Sequence, residues 1–345
     1  MLRSSKILFW AIVAILLLWQ VPWCLNFIAA KSERTPFIIY STIVDDFVML
    51  RSDPKTKDLI REDRFGNSFT EEQFDSILPS FYLRQLVTDE RFPDSIKGVA
   101  VTPKLLQTES FTFRNTPAMI NRTTVGLYPL LESMSGRVDL AMPDDVFRIT
   151  GSGIEFIDME SNSVNREKSN LFTEAMLRKG FRFPATKISG NPTDRKDYDE
   201  GYVLLDADGR LFHLKQTRGR PYCRAIELPD SIEARHLFIT EFRNRRSLAL
   251  MTDARNRLYV IDRPDYKARL TAIPHFDPER EAISIIGNMF DWTVCISDDR
   301  AERYYALDTD GYSLLDSLVL ETGSRTIPGL RFTSPLNRYV IPHFE

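Results

Sequence analysis

The sequence predicts a mainly β domain, propeller-like with helical insertions, carried on an N-terminal transmembrane helix; an α+β domain or a β-sandwich is the alternative. Two observations carry this. Residues Ile7 to Ala30 hold no ionisable side chain except Cys24, and a unit of apolar run, aspartate, arginine and aromatic-containing run recurs three times further on. The aspartates Asp206, Asp253 and Asp299 step by 47 and then 46 residues, as do the arginines Arg210, Arg257 and Arg303. That interval is about one four-stranded propeller blade.

At 1.5 Å of rise per residue, about 20 apolar residues cross a hydrocarbon layer of about 30 Å. The first segment meets that length, with Trp10, Trp19 and Trp23 at positions suited to the interfaces. A cleaved signal peptide is the main alternative. It needs small residues at −3 and −1, but cutting after Ala30 puts Ile28 at −3 and cutting after Ala29 puts Phe27 there. Cys24 follows Val21-Pro22-Trp23, which is not a lipidation box, and a buried core helix would not be apolar all round. Arg3 and Lys6 precede the segment and Lys31 and Arg34 follow it, so charge nearly balances; the short cationic tail favours a cytoplasmic N-terminus. The expected layout is a cytoplasmic tail at 1–6, a single inner-membrane span at 7–30, and an extracytoplasmic domain. That domain divides into a β-rich region with helical insertions at 31–200 and a repeat-containing β region at 201–345, continuous with it.

Next, "TPFIIYSTIVDDFVML" is rich in β-branched and aromatic residues and predicts one or two strands. Thr70-Glu-Glu-Gln73 has the form of a capping box, and apolar residues then recur at helical spacing, with Pro79 splitting the helix in two. "NREKSNLFTEAMLRKG" predicts a second helix with Leu171, Phe172, Ala175 and Met176 on one face and Gly180 as its stop. "GIEFIDMESNSV" and "DLIREDRFGNSFT" suggest further strands running into turns.

The three repeats are "YVLLDADGRLFHL", "ALMTDARNRLYVI" and "CISDDRAERYYAL". Each is read as a hairpin: the aspartate accepts backbone N–H groups at the turn entry, Gly209 or Asn256 supplies positive φ, and the arginine opens the return strand. Glu302 fits that position less well. Asp206-x-Asp208-Gly209 and Asp308-x-Asp310-Gly311 also begin like calcium loops. The twelfth positions are Thr217 and Val319 rather than a bidentate glutamate, so turn geometry explains both without metal.

Composition excludes several classes. Forty-five basic against 48 acidic side chains give a net charge of −3, which does not suit a nucleic-acid binder. Cys24, Cys223 and Cys295 match no zinc spacing, and the last two are the only candidate disulfide pair, with buried free thiols as the blander reading. His213, His236, His275 and His343 form no metal-ligand motif, and Ser52-x-x-Lys55 lacks the partner motifs of penicillin-recognising enzymes. Adjacent acid pairs such as Asp144-Asp145 point to opposite faces of a strand and are no catalytic pair by adjacency. No catalytic residue, cofactor or metal is expected. The one uneven stretch runs from Asp206 to Leu270, with 14 Lys and Arg against 9 Asp and Glu. Within it Arg218, Arg220, Arg243, Arg245 and Arg246 are candidates for a basic rim facing lipid headgroups or an acidic partner.

On "FDSILPSFYLRQL", "GLYPLLESMSGRVDL", "GIEFIDMESNSVN" and "DRKDYDEGYVLLD" the chain resembles an uncharacterised bacterial family of membrane-anchored proteins, a domain of unknown function often encoded near ABC-transporter components. The resemblance implies an envelope protein that binds a membrane-protein partner such as a transporter subunit. The alternative is an anchored hydrolase acting on glycan or peptide. A pocket with two inward carboxylates or clustered histidines would favour the hydrolase, and one lined by apolar and arginine side chains would favour binding.

Overall fold

The computed structural model describes residues 2–29, 35–53, 55–122, 124–134, 136, 138–298, 300–321, 327–332 and 342–344. It opens with helix α1 (Leu2–Ala29), whose apolar side chains lie exposed along its length. Strands β1 (Phe37–Ser41), β2 (Asp46–Ser52) and β3 (Leu59–Asp63) form an antiparallel meander. The capping box is formed: Thr70 accepts from the Gln73 N–H while the Gln73 side chain accepts from the Thr70 N–H, starting α2 (Glu71–Ile77). The chain breaks at Pro79 and resumes as α3 (Leu83–Thr88). A two-stranded pair β4 (Ser95–Ile96) and β5 (Val99–Ala100), helix α4 (Pro103–Glu109), strand β6 (Phe111–Asn115) and helix α5 (Pro117–Asn121) follow.

A second meander comprises β7 (Asp145–Ile149), β8 (Ile154–Asp158) and β9 (Ser163–Asn165), and leads into α6 (Arg166–Arg178). Asn165 caps that helix by accepting from the Lys168 N–H, and Phe172 and Met176 are its buried face. Three four-stranded antiparallel meanders then succeed one another: β10 (Lys187–Gly190), β11 (Tyr202–Leu205), β12 (Leu211–Thr217) and β13 (Arg220–Ile226); β14 (Ala234–Ile239), β15 (Ser247–Asp253), β16 (Leu258–Asp262) and β17 (Ala268–Leu270); β18 (Ala282–Gly287), β19 (Asp291–Ser297), β20 (Ala301–Asp308) and β21 (Leu314–Glu321). Each repeat unit is the second and third strand of one such sheet. The last sheet gains β6 alongside β18, with Phe113 opposite Ile285. A short hairpin of β22 (Leu330–Phe332) and β23 (Pro342–Phe344) lies against α1.

The apolar runs of the repeats are long because their strands are buried on both faces. Side chains alternate across a strand, so successive residues enter different cores. Along β16, Leu258 and Val260 pack with Ile285, Trp292 and Val294 of the next sheet, while Tyr259 and Ile261 pack with Val203 and Leu205 of the sheet before. Tyr202, Leu204 and Phe212 face the other way, onto Phe147, Phe156 and Phe172. At the far side Tyr304 and Ala306 meet Ile38, Tyr40 and Phe47 of the first meander. The protein is thus a mainly β, propeller-like series of sheets stacked face to face. Hydrogen bonding joins the two regions expected at 31–200 and 201–345, because β10 pairs with β11 and β6 with β18. Cys223 and Cys295 are free thiols set in different cores, and burial pushes them up to about 12 and about 11.

The turns between second and third strands share one device. Asp206 Oδ1 accepts from the Asp208 and Arg210 N–H groups, both at 2.9 Å, and its Oδ2 accepts from the Arg182 N–H and from Arg210 Nε at 3.0 Å. Asp253 repeats this: Oδ1 takes the Arg255 and Arg257 N–H groups and Oδ2 takes Arg257 Nε at 2.7 Å. Positive φ falls on Gly209 (77°) and Asn256 (59°). In the third sheet the carboxylate is Asp298, which accepts from the Arg300 and Ala301 N–H groups and from Arg303 Nη1 at 3.0 Å. Asp299, the aligned aspartate, lies outside the described residues. Because Asp206 is fully buried, removing it strands two or more donors; Asp206→Ala is expected to cost about 3 kcal/mol in urea unfolding. The double variant with Arg210→Ala should cost less than the sum of the two single changes.

Candidate functional site

In an antiparallel meander, alternate turns fall at opposite ends of the sheet. The Asp–Arg turns occupy one end. The Ile239 N–H donates to Ser189 Oγ at 3.0 Å, joining the ends of β10 and β14, so the two sheets run the same way. Their other ends gather the β10–β11, β12–β13, β14–β15 and β16–β17 connections, and the β18–β19 and β20–β21 turns join them around a shared cleft. All the candidate features below lie there.

The β10–β11 connection carries a buried ion network. Glu200, 1% exposed, accepts from Lys215 Nζ at 2.9 Å and Arg263 Nε at 2.6 Å. Lys196 Nζ donates to Asp199 Oδ1, Glu241 Oε1 and the Asn191 carbonyl, each at 2.7 Å. Glu241 Oε1 also takes the Glu200 N–H at 2.8 Å, and Asp199 Oδ2 takes Ser133 Oγ and the Gly201 N–H. Burial raises the Glu200 carboxyl, but Lys215 and Arg263 outweigh it and hold it below the usual range. Glu241, whose one cation is shared, is left raised by burial. His213 Nε2 lies 2.6 Å from the Glu200 carbonyl, which can only accept, so that nitrogen carries the proton. Nδ1 then accepts from Tyr266 Oη at 3.0 Å, and burial lowers the imidazole to about 4, keeping it neutral. Three carboxylates face three cations here, so the network is a balanced lock between two sheets.

Two clefts open at this end of the stack. The first, of about 330 Å³, is walled by Ile39, Leu78, Phe81 and Phe290 and edged by Thr42 and Asn288. Directly behind Thr42 sits Asp291, 1% exposed. Its Oδ2 accepts from Thr42 Oγ1, and its Oδ1 has no hydrogen-bond partner among the described residues. Burial pushes this carboxyl up to about 6. The second cleft, of about 260 Å³, shares Asn288 and is lined by Phe111, Phe242, Trp292, Tyr312 and Arg246. Phe111 stacks on Phe242 at 3.9 Å between ring centroids. One cleft thus has aromatic walls and an arginine at its edge, the other apolar walls with the buried Asp291 behind Thr42.

Of the five arginines expected to form a rim, three share the β14–β15 connection, and each is engaged within the protein. Arg243 Nε contacts Asp197 Oδ2 at 2.6 Å, Arg245 lies 4.2 Å over the Tyr198 ring, and Arg246 Nε sits 3.1 Å from Glu109 Oε2. Arg218 and Arg220 flank the β12–β13 turn at the same end of the neighbouring sheet, where Glu132 accepts the Arg218 and Gly219 N–H groups. No contact joins them to the other three among the described residues. The Asp308 turn, begun like a calcium loop, directs its carboxylate at the Asp310, Gly311 and Ser313 N–H groups. Sequence reasoning missed the Lys196–Glu241 network and Asp291. Their signals were "KDYDEG", three acids and a lysine abutting an apolar strand, and "NMFDW", an acid at the entry of one.

A family profile described as "Domain of unknown function (DUF4857)" matches residues 37–307. No curated protein matches the chain. Among solved structures, the chain is similar to the Cps50 (Swd1) beta-propeller domain of Myceliophteria thermophila, at 10% identity and TM-score 0.29, covering 62% of this chain and 61% of that one. It therefore spans less than two thirds of that domain. It is similar also to the WD40 domain of SCAP from fission yeast, at 10% identity and TM-score 0.34, covering 88% and 80%. A third is YCF48 from Cyanidioschyzon merolae, at 8% identity and TM-score 0.31, covering 88% and 90%.

Asp291 makes a signed pH prediction. Its folded pKa of about 6 stands above the unfolded value, so the native state binds more protons between about pH 4 and pH 6 and loses stability as pH rises through that window. The loss amounts to about 3 kcal/mol and is complete above it. Asp291→Asn keeps a partner for Thr42 and removes the ionisation. The stability difference between variant and wild type, from unfolding curves at successive pH values, should therefore grow from pH 4 to about pH 6.5 and then level off.

Proposed function

We propose that this chain, which belongs to the DUF4857 family, is a membrane-anchored binding protein whose β domain presents one turn end to a partner in or near the same membrane. The observation that carries the reading is the cleft of Phe111, Phe242, Trp292 and Tyr312 with Arg246 at its edge. The four rings belong to the core and brace the rim from beneath, while Arg246 stands about half exposed at the cleft edge; arginine is among the residue types enriched in the contacts that dominate binding energy at protein interfaces. The engaged arginines fit this role. Held by Asp197, Tyr198 and Glu109, they are fixed before a partner arrives, which reduces the ordering cost of association.

The anchor is α1. Its stretch Ser4–Ile28 is 25 residues long, apolar enough to cross a bilayer, and lies outside the domain core. In this reading the N-terminus is cytoplasmic, the domain extracytoplasmic, and the partner an inner-membrane protein such as a transporter subunit. A reporter active only outside the cytoplasm, fused at the C-terminus, should be active; activity confined to a cytoplasmic reporter would reverse the topology. For the binding surface, membranes carrying the wild type or the Arg243→Glu/Arg245→Glu/Arg246→Glu variant are crosslinked and the protein co-purified. Recovery of the wild-type partner should fall at least tenfold in the variant while its far-ultraviolet circular dichroism stays unchanged. Equal recovery from a folded variant would remove this face as the binding surface.

A further inference from the structure

Among the described residues, each of the five stacked sheets leaves its last strand at an edge, and four of these edges are blunted against further pairing. Beside β3 the chain doubles back, so that the Phe69 N–H donates to the Arg61 carbonyl at 2.8 Å. Strand β9 is three residues long and runs directly into α6. Strand β13 carries Arg220, Pro221 and Arg224 and has α6 packed beside it. Strand β17 is again only three residues, with Arg269 in the middle.

The fifth edge is different. Strand β21 reads Leu-Leu-Asp-Ser-Leu-Val-Leu-Glu, eight residues with no lysine, arginine or proline. A bulge opposite Ala306 and Leu307 absorbs Leu315, and residues 316–321 then pair one for one with residues 301–306 of β20. Along this stretch Leu318 and Leu320 pack on the core of Tyr40, Phe47 and Tyr304, while Ser317, Val319 and Glu321 alternate onto the other face. Val319 is 59% exposed. Among the described residues no strand lies beyond β21. A long apolar edge without a blunting device is a template for another strand, because half of its N–H and C=O groups face outward.

The sequence of this edge selects the strand that fits it. Laid antiparallel against a second copy about a two-fold axis at Val319, β21 sets Val319 opposite Val319, Leu318 opposite Leu320, and Ser317 opposite Glu321. Hydroxyl then faces carboxylate, apolar faces apolar, and no acid opposes an acid. Asp316, which is held by Arg64, stays outside the paired stretch. An axis at Leu318 would set Asp316 against Leu320, and one at Ser317 would draw the bulged Leu315 into the ladder.

We infer that this chain forms a two-fold dimer by pairing β21 with β21 of a second copy, so that two sheets become one across the axis. The inference concerns the β domain alone and does not depend on α1 spanning a membrane. The test uses the full chain in detergent micelles, in a Cys24→Ser background. Light scattering should give a dimer. Val319→Lys, which brings two ammonium groups together at the axis, should weaken dimerisation at least tenfold with unchanged far-ultraviolet circular dichroism. Val319→Cys should be linked to its second copy by a short bismaleimide at least tenfold more than Leu315→Cys, because paired Val319 positions lie about 5 Å apart and Leu315 positions about 27 Å. This crosslinking decides the matter should the lysine variant not fold. A monomer at high micromolar concentration would overturn the dimer. A dimer equally tight in folded Val319→Lys would overturn this edge as its interface. Leu315→Cys linking as well as Val319→Cys would overturn the antiparallel pairing about Val319.

Discussion

The rest of the domain depends on one buried carboxylate. Glu200 sits between two sheets, and a charge there is tolerable only because Lys215 and Arg263 reach it from β12 and from the end of β16. Its own N–H binds Glu241, and its carbonyl receives His213. Lys215 and His213 reach Glu200 from within its own sheet, but Arg263, Glu241 and Tyr266 come from the neighbouring one, so Glu200 and His213 are fully satisfied only when both sheets are in place. Apolar packing between sheets is permissive of small slips; a network with every donor matched is not. The register between the β10–β13 and β14–β17 sheets is therefore set by polar geometry laid over a hydrophobic interface.

From that register follows the division of labour between the two ends of the stack. At one end short Asp–Arg turns close each hairpin with a single side-chain pair, which leaves little exposed chemistry. At the other end the connections are longer, as between Gly190 and Tyr202, and carry the network, the clefts and the paired arginines. A rigid scaffold holding longer loops at one end is a common way to build recognition surfaces. Here the loops are themselves braced, since Arg243 and Arg245 of one connection are held by Asp197 and Tyr198 of the next.

Much of the fold was legible because it obeys periods. The 47- and 46-residue steps mark successive four-stranded sheets, and Thr70-x-x-Gln73 and Pro79 delimit the first two soluble helices correctly. In the third repeat the described turn carboxylate is Asp298, one residue before the aligned Asp299, which lies outside the described residues, and Glu302 lies in β20 without the positive φ of Gly209 and Asn256. Strand β6 was invisible because its partner β18 lies far along the chain and no local signal announces such a pairing. The ion network was hidden for a related reason: a run such as "KDYDEG" reads as a solvated loop until tertiary structure closes over it. Arg243, Arg245 and Arg246 were found by charge, but their acidic and aromatic partners come from segments remote in sequence.

In the helix as in the domain, a polar side chain is satisfied by groups from remote segments of the chain. Asn26 in α1 and Glu200 in the sheets are each answered by backbone or side chains that arrive from elsewhere in the chain. The most direct measurement of the central claim is amide hydrogen exchange on the full chain, comparing wild type with Glu200→Gln. If Glu200 locks the two sheets together, protection should fall by a similar factor in β11–β12 and in β15–β16. Loss confined to the connection around residues 196–201, with both pairs of strands protected as before, would contradict it.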